Sequence, residues 1–441
     1  LLRRRGLFVC PGIRSEQHPT LRPAIAEAPN LAYTQSTMAH TEAASGIALE
    51  TLIRSPFARL NALLADTSPG ADPILFSLGE PHTSLPPFVQ PVLEEHLAAF
   101  GKYPPIRGVL PLRQAICEWL ERRYPVLEGV VDPETHVLPL NGSREGLFSA
   151  IFPALARKPD VTDPIVLIPN PFYQVYAAAA AVAGAEPVFL KSAPEKGFLP
   201  DLDAIDDELL DRTVALYLCS PSNPEGAVAS TGYLEKAVRL ARTHDFLVLA
   251  DECYSEIYTD EPPPAALAVA QGATGHLTNV LSFQSLSKRS GLPGLRSGFI
   301  AGDPAFLDAF GRFRNVACPQ VPLPIQYVSA AAWAEETHVE AARDFYQANF
   351  DVAEAVLQGR YGYARPEGGF FLWLNMADFG GGEGATKTLW KGCGVKVLPG
   401  TYLTKSQDGQ ADHGLDFVRL ALVHDAETTR EGLGRLVATL G

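Results

Sequence analysis

Ser285-Leu286-Ser287-Lys288-Arg289-Ser290-Gly291-Leu292-Pro293-Gly294-Leu295-Arg296 is the stretch on which the fold turns. It follows the apolar run Val280–Phe283 and precedes a second, Ser297–Ala301, both predicted as short strands. A lysine in a loop is ordinarily a solvated cation. Here hydroxyls stand three and one residues before Lys288, and an arginine stands eight after it. Hydroxyls and a guanidinium converging on one amine suit a phosphate dianion held beside that amine.

Outward from this segment the chain alternates between two patterns. His136–Leu140, Ile165–Pro169, Pro187–Lys191, Val214–Cys219 and Phe246–Ala250 are apolar runs predicted as strands. Ser143–Ala156, Tyr173–Ala183 and Tyr233–Thr243 carry helical patterns between them. Strands apolar on both faces, alternating with helices, predict an α/β fold with a mostly parallel sheet between helices. Such sheets present their functional loops at the carboxyl ends of the strands. After Pro324 the character changes. Ile325 to Leu357 has no Pro or Gly and is predicted helical throughout. Phe370–Leu374, Val395–Leu398 and Phe417–Leu422 follow as strands, with Gly380–Gly384 predicted as a flexible surface loop. The expected organisation is an N-terminal extension at 1–37, an arm and part of a small domain at 38–85, a large domain at 86–324 and a small α+β domain at 325–441.

Composition narrows the function classes. The 441 residues are 46% hydrophobic and 20% charged, ordinary for a globular protein, and too many for one simple core. A net charge of -14 disfavours a nucleic-acid partner. No apolar run is long enough to span a bilayer. Cys10, Cys117, Cys219, Cys253, Cys318 and Cys393 are scattered, with no C-x-x-C pair and no metal-ligand spacing. Reduced thiols and a cytoplasmic location are expected. Residues 1–37 reverse the charge of the whole, with Arg3, Arg4, Arg5, Arg14 and Arg22 against Glu16 and Glu27. No adequate apolar segment follows those arginines, so a secretory signal is not expected. A stretch upstream of a working start at Met38 is the preferred reading, and a transit-like or disordered arm the other.

Further segments carry chemistry. Asp251-Glu252-Cys253-Tyr254 closes an apolar strand, where an Asp would otherwise cap the next helix. Ser220-Pro221-Ser222-Asn223-Pro224-Glu225-Gly226 is a turn after another strand. Asn141-Gly142-Ser143-Arg144 joins a strand to a helix, whose first N–H groups form an anion site. Asn170-Pro171-Phe172-Tyr173 follows a strand. Arg419 sits inside the apolar run Phe417-Val418-Arg419-Leu420-Ala421, where a charge is costly unless paired. Nucleotide patterns of the G-x-G-x-x-G and G-x-x-x-x-G-K types are absent.

Together these segments resemble the fold-type-I, class I aminotransferases, over nearly all the chain after Met38. The resemblance implies pyridoxal 5′-phosphate (PLP) bound covalently to Lys288, and no metal. It places the phosphate on Gly142, Ser143 and Arg144, chiefly through backbone, and on Ser285, Ser287 and Arg296. Asp251 pairs with the pyridine nitrogen, Tyr254 and Asn223 reach the phenolic oxygen, and Tyr173 stacks on the ring. Arg419 takes the substrate α-carboxylate, helped by backbone at Gly79 in Leu78-Gly79-Glu80-Pro81. Lys102-Tyr103-Pro104 with Gly108 resembles a segment whose tyrosine reaches the neighbouring subunit's phosphate. Tyr103 in that role implies a homodimer with shared active sites.

Longer strings narrow the subgroup. Ser285 to Ser290, Arg296-Ser297-Gly298-Phe299, Leu140 to Glu145, Asn170 to Gln174 and Ala250 to Tyr258 resemble the bacterial succinyldiaminopimelate aminotransferases. The implied reaction moves an amino group between glutamate or 2-oxoglutarate and an N-succinyl-2-amino-6-ketopimelate-type substrate. Departures are Glu225 where Thr is common, Gly291 and Leu292 where Asn and Val are expected, and the apolar Cys318-Pro319-Gln320-Val321-Pro322. Rival readings are a general aminotransferase for aspartate, alanine or aromatic amino acids, or a C–S lyase on the same fold. A PLP-dependent transcription regulator is a third, disfavoured by net acidity and the short N-terminal segment. A non-catalytic binding module is a fourth, against which the retained Lys288, Asp251, Asn223, Tyr254 and Arg419 stand.

Overall fold

The computed structural model describes residues 52–406 and 412–441. The expectations for 1–37 and for Met38 lie outside the described residues. Ile165–Asn170 (β3), Thr213–Cys219 (β6), Leu247–Asp251 (β7) and Val280–Ser285 (β8) are buried along nearly their whole length. With Glu186–Ala193 (β4) they form a parallel set. Val137–Leu140 (β2), Leu199–Pro200 (β5) and Gly298–Gly302 (β9) complete an eight-stranded sheet in the order β2-β9-β8-β7-β6-β3-β4-β5. β9 runs antiparallel to both β2 and β8, so β2 points the same way as the parallel set. Apolar clusters cover both faces, one around Trp119, Leu216 and Phe299, the other around Ile168, Tyr217 and Phe310. Burial on both faces is why these strands lack polar alternation. The fold is α/β with a mostly parallel central sheet, as expected.

Local chemistry sets the helix ends. Ser230 caps Thr231–Thr243, its hydroxyl accepting from the Tyr233 N–H. Gln174–Ala183, the alanine-rich helix, stops at Gly184 in the left-handed region.

A second, three-stranded antiparallel sheet places Phe417–Ala421 (β13) between Phe371–Asn375 (β10) and Leu398–Pro399 (β12). Ile74–Leu75 (β1) pairs with Val395–Lys396 (β11). A separate apolar cluster of Phe76, Leu372, Leu389 and Leu433 holds this part together.

Two expectations are corrected. The predicted helix from 325 to 357 is two helices, Leu323–Ala334 and Thr337–Leu357. Glu335 is extended at the break, and its carboxylate accepts from the N–H groups of Thr337 (2.7 Å) and His338 (3.2 Å). An acid capping a new helix ends the old one without Pro or Gly. Gly380–Gly384 is not a flexible surface loop. Gly381–Cys393 is helical, with Gly381 and Gly382 buried. A Cβ on Gly382 would collide with the Phe417 carbonyl, so this glycine serves close packing onto β13.

Candidate active site

The parallel strands bring their carboxyl ends to one edge of the sheet, and the predicted segments lie there. Asn141–Arg144 follows β2, Tyr173 follows β3, Asn223 follows β6, Asp251 ends β7, and Lys288 follows β8. A cavity of ≈ 430 Å³ opens among them. Gly79, Ser143, Arg144, Tyr173, Asn223, Asp251, Tyr254, Ser285, Ser287, Lys288, Arg296 and Arg419 all line it.

Lys288 lies in the one-turn helix Leu286–Arg289, started by Ser285, whose hydroxyl accepts from the Ser287 N–H at 3.1 Å. Its Nζ donates to the Gly79 carbonyl at 2.5 Å. Burial pushes the amine down to about 8, against a raising influence from Cys253. Arg289 points elsewhere. It is buried against Trp333 and Trp119 and paired with Glu336 at 2.6 Å.

Asp251 is buried, and burial pushes its carboxyl upward. Tyr176 donates to its Oδ2 at 2.6 Å, and the Cys253 N–H lies 3.4 Å from Oδ1. Tyr254 meets Phe370 and Phe371 edge-on. Tyr173 accepts from Arg144 Nε at 2.5 Å.

Arg419 occupies the central strand of the small sheet and is only 5% exposed. Its Nη1 donates to Asn223 Oδ1 (3.1 Å) and its Nη2 to the Ser77 carbonyl (3.0 Å). Nε is buried without a partner, and burial pushes the guanidinium down to about 10. A buried cation paired only with neutral acceptors is a site for an anion.

Arg296 is in the left-handed region, with Nη1 on the Pro293 carbonyl and Nη2 3.4 Å from the Asn141 carbonyl. Gly142 has φ +78, and a Cβ there would strike the Arg296 guanidinium. Glycine is thus what lets arginine and strand end stand together. Glu225 accepts from Ser222 at 2.9 Å, and burial pushes its carboxyl up to about 8.

Two expected residues are not among those lining the cavity. They are Gly142, beside the Arg296 guanidinium, and Tyr103. Tyr103 is 99% exposed. Nor does Cys318–Pro322 line it; the Asn141 side chain donates to the Pro319 carbonyl at 2.6 Å. Tyr176 and Cys253 were not singled out by sequence. Tyr176 lies one helical turn after Tyr173, a spacing that puts both on one face.

PLP fits these residues. An amine with a depressed pKa, a buried carboxylate lacking a cation, hydroxyls with an arginine, and a buried unsaturated guanidinium converge on one space. Lys288 would carry the cofactor, Asp251 face its ring nitrogen, and Ser285, Ser287 and Arg296 hold its phosphate. PLP supplies an electron sink for the substrate Cα.

The pattern of the family "Aminotransferase class I and II" matches residues 71–436. The LL-diaminopimelate aminotransferase of Gloeobacter violaceus is 32% identical over 84% of this chain and 91% of that protein. An aminotransferase from Neisseria meningitidis superposes with a TM-score of 0.81 at 36% identity, covering 87% of this chain and 96% of that one. Aminotransferase AspB from Helicobacter pylori gives 0.79 at 34% identity, covering 87% and 98%. The chain belongs to the class I and II aminotransferases, fold-type-I enzymes that work with pyridoxal phosphate.

Proposed function

We propose that this aminotransferase exchanges an amino group between glutamate or 2-oxoglutarate and a substrate of the diaminopimelate series, serving lysine biosynthesis. The observation that carries the aminotransferase chemistry is a lone buried guanidinium, Arg419, sharing one cavity with the Lys288 amine. Arg419 orients the α-carboxylate with two parallel N–H groups, which fixes Cα beside Lys288. The Lys288 Nζ would take the Cα proton and pass it on to the carbon of the cofactor's aldehyde, a role matched to a pKa of about 8. Asn223, bonded through Oδ1 to Arg419, keeps its Nδ2 free to donate.

The relative from Gloeobacter violaceus, named for LL-diaminopimelate, supports the substrate series. The acylated form, N-succinyl-2-amino-6-ketopimelate, is the second reading, favoured by the strings Ser285–Ser290 and Ala250–Tyr258. Turnover of purified holoenzyme with LL-diaminopimelate, N-succinyl-diaminopimelate, aspartate, alanine and phenylalanine separates these. The reading expects a diaminopimelate to exceed aspartate, alanine and phenylalanine at least about tenfold in kcat/KM, the order that one well-made contact supplies. Equal or better turnover of aspartate would replace it with a general aminotransferase.

The functional unit in this reading is a homodimer in which Tyr103 serves the neighbouring site. Phe100, Ile106 and Leu110, exposed apolar neighbours of Tyr103, support a covered surface there. The large sheet with residues 86–324 is taken as the cofactor domain, and the small sheet with the described parts of 38–85 and 325–441 as its partner. Among the described residues no helix is long and apolar enough to cross a membrane.

A further inference from the structure

Asp251 is held by a phenol that no sequence motif marks. Tyr176 is buried, with its ring stacked on Tyr217 at 4.3 Å between centroids and 13° between planes. Tyr217 is itself fixed, its hydroxyl donating to the Leu147 carbonyl at 2.6 Å. The Tyr176 ring also meets Tyr173 edge-on at 5.6 Å. Two aromatic neighbours leave its hydroxyl little freedom, and it donates to Asp251 Oδ2 at 2.6 Å. That distance is typical of a charge-assisted O–H···O⁻ bond.

The direction of the proton follows from burial. Asp251 without a cation is pushed toward its neutral form by desolvation, and hydrogen bonds from Cys253 and Tyr176 oppose this. The Tyr176 phenol is driven well above its ordinary range by the same burial, so it remains a donor throughout. Beyond the phenols of Tyr173, Tyr217 and Tyr254, which burial also raises, the other titratable groups at this spot are two thiols: Cys219 at the end of β6 and Cys253 just past β7. Burial drives both well above their ordinary range, so neither supplies a charge. Beside the Cys253 thiol and N–H, Tyr176 is thus a donor that favours an ionised Asp251, reaching it at 2.6 Å against 3.4 Å for that N–H.

We propose that Tyr176 is a positioning residue for the transamination. Its hydroxyl occupies Asp251 Oδ2, helps keep that carboxylate ionised, and leaves Oδ1, which the Cys253 N–H meets only at 3.4 Å, for the ring nitrogen of PLP. The proton between carboxylate and ring then resides on the nitrogen, where it makes the ring an effective acceptor of electrons. Removing the donor shifts that proton toward Asp251, because a carboxylate short of one hydrogen bond holds a proton more tightly. This inference rests on the assignment of Asp251 to the ring nitrogen.

The test is nitrogen-15 NMR of holoenzyme reconstituted with ring-labelled PLP, which reports where the proton sits. Wild type should show a protonated ring nitrogen. Tyr176→Phe should move the signal toward the unprotonated form, weaken PLP binding and lower kcat/KM, each about tenfold or more, as for loss of a hydrogen bond to a charged group. Replacing Tyr176 by 3-fluorotyrosine, an almost isosteric and stronger donor, should raise the pH at which the ring nitrogen loses its proton, whereas Tyr176→Phe should lower it. That variant decides the matter even if the phenylalanine protein does not fold. Opposed shifts cannot come from a purely structural role. An unchanged pH of deprotonation in the fluorotyrosine protein, or an unchanged nitrogen signal in a folded Tyr176→Phe protein, would overturn the role of Tyr176. An unprotonated nitrogen in wild type would instead remove the Asp251 assignment beneath it.

Discussion

Lys288 pays for its reactivity in stability. Its amine, pushed from 10.5 to about 8 by burial, binds a proton more weakly in the folded than in the unfolded chain. Below pH 8 both states are protonated and the fold bears the full penalty. Between pH 8 and 10.5 the unfolded chain holds a proton that the folded one lacks, so stability rises with pH across this window. The interval corresponds to about 3 kcal/mol. Lys288→Met should therefore stabilise the cofactor-free protein at pH 7 by up to about 3 kcal/mol, with the gain gone by about pH 10.5. Denaturant unfolding at several pH values checks this, and a gain independent of pH would contradict it. Arg419 offers a second residue-scale outcome. Arg419→Lys keeps the charge but loses the planar fork, and should raise KM for amino acid substrates about tenfold or more in steady-state assays.

At the scale of elements, glycine conformation joins the strand end after β2 to the arginine after β8. Gly142 has φ +78 and ψ 156, a region essentially closed to other residues. Gly142→Ala should cost about 1–3 kcal/mol of backbone strain. Because its Cβ would also displace Arg296, PLP affinity measured by equilibrium dialysis should fall more than global stability does. Strands were legible because burial on both faces leaves unbroken apolar runs, Asp251 and Arg419 because each is an ionisable group at the end of, or inside, such a run, and Lys288 because hydroxyls and an arginine flank it. The break at Glu335 was illegible because capping there uses a residue common in helix interiors. The helix Gly381–Cys393 was missed because its glycines serve contact with β13, a partner no local pattern names. Tyr176 was hidden for a similar reason: only tertiary packing distinguishes a core tyrosine from one aimed at Asp251.

At the scale of the whole molecule, two sheets supply opposite halves of one site. The large sheet presents Asp251 and Lys288, and the small sheet presents Arg419, whose guanidinium reaches across to Asn223 at 3.1 Å. Tyr103, 99% exposed, would serve a neighbouring copy in the proposed dimer. Sedimentation should show a dimer, and Tyr103→Phe should leave that dimer intact while weakening PLP binding about tenfold, the loss of one hydrogen bond to a charged phosphate. A monomeric, fully active protein would contradict the shared site. The claim beneath all of these is that Lys288 carries the cofactor. Reduction of the holoenzyme with borohydride, followed by proteolysis and mass spectrometry, tests it most directly. The peptide containing Lys288 should gain the mass of a reduced phosphopyridoxyl group, and a label on another lysine, or on none, would contradict the account.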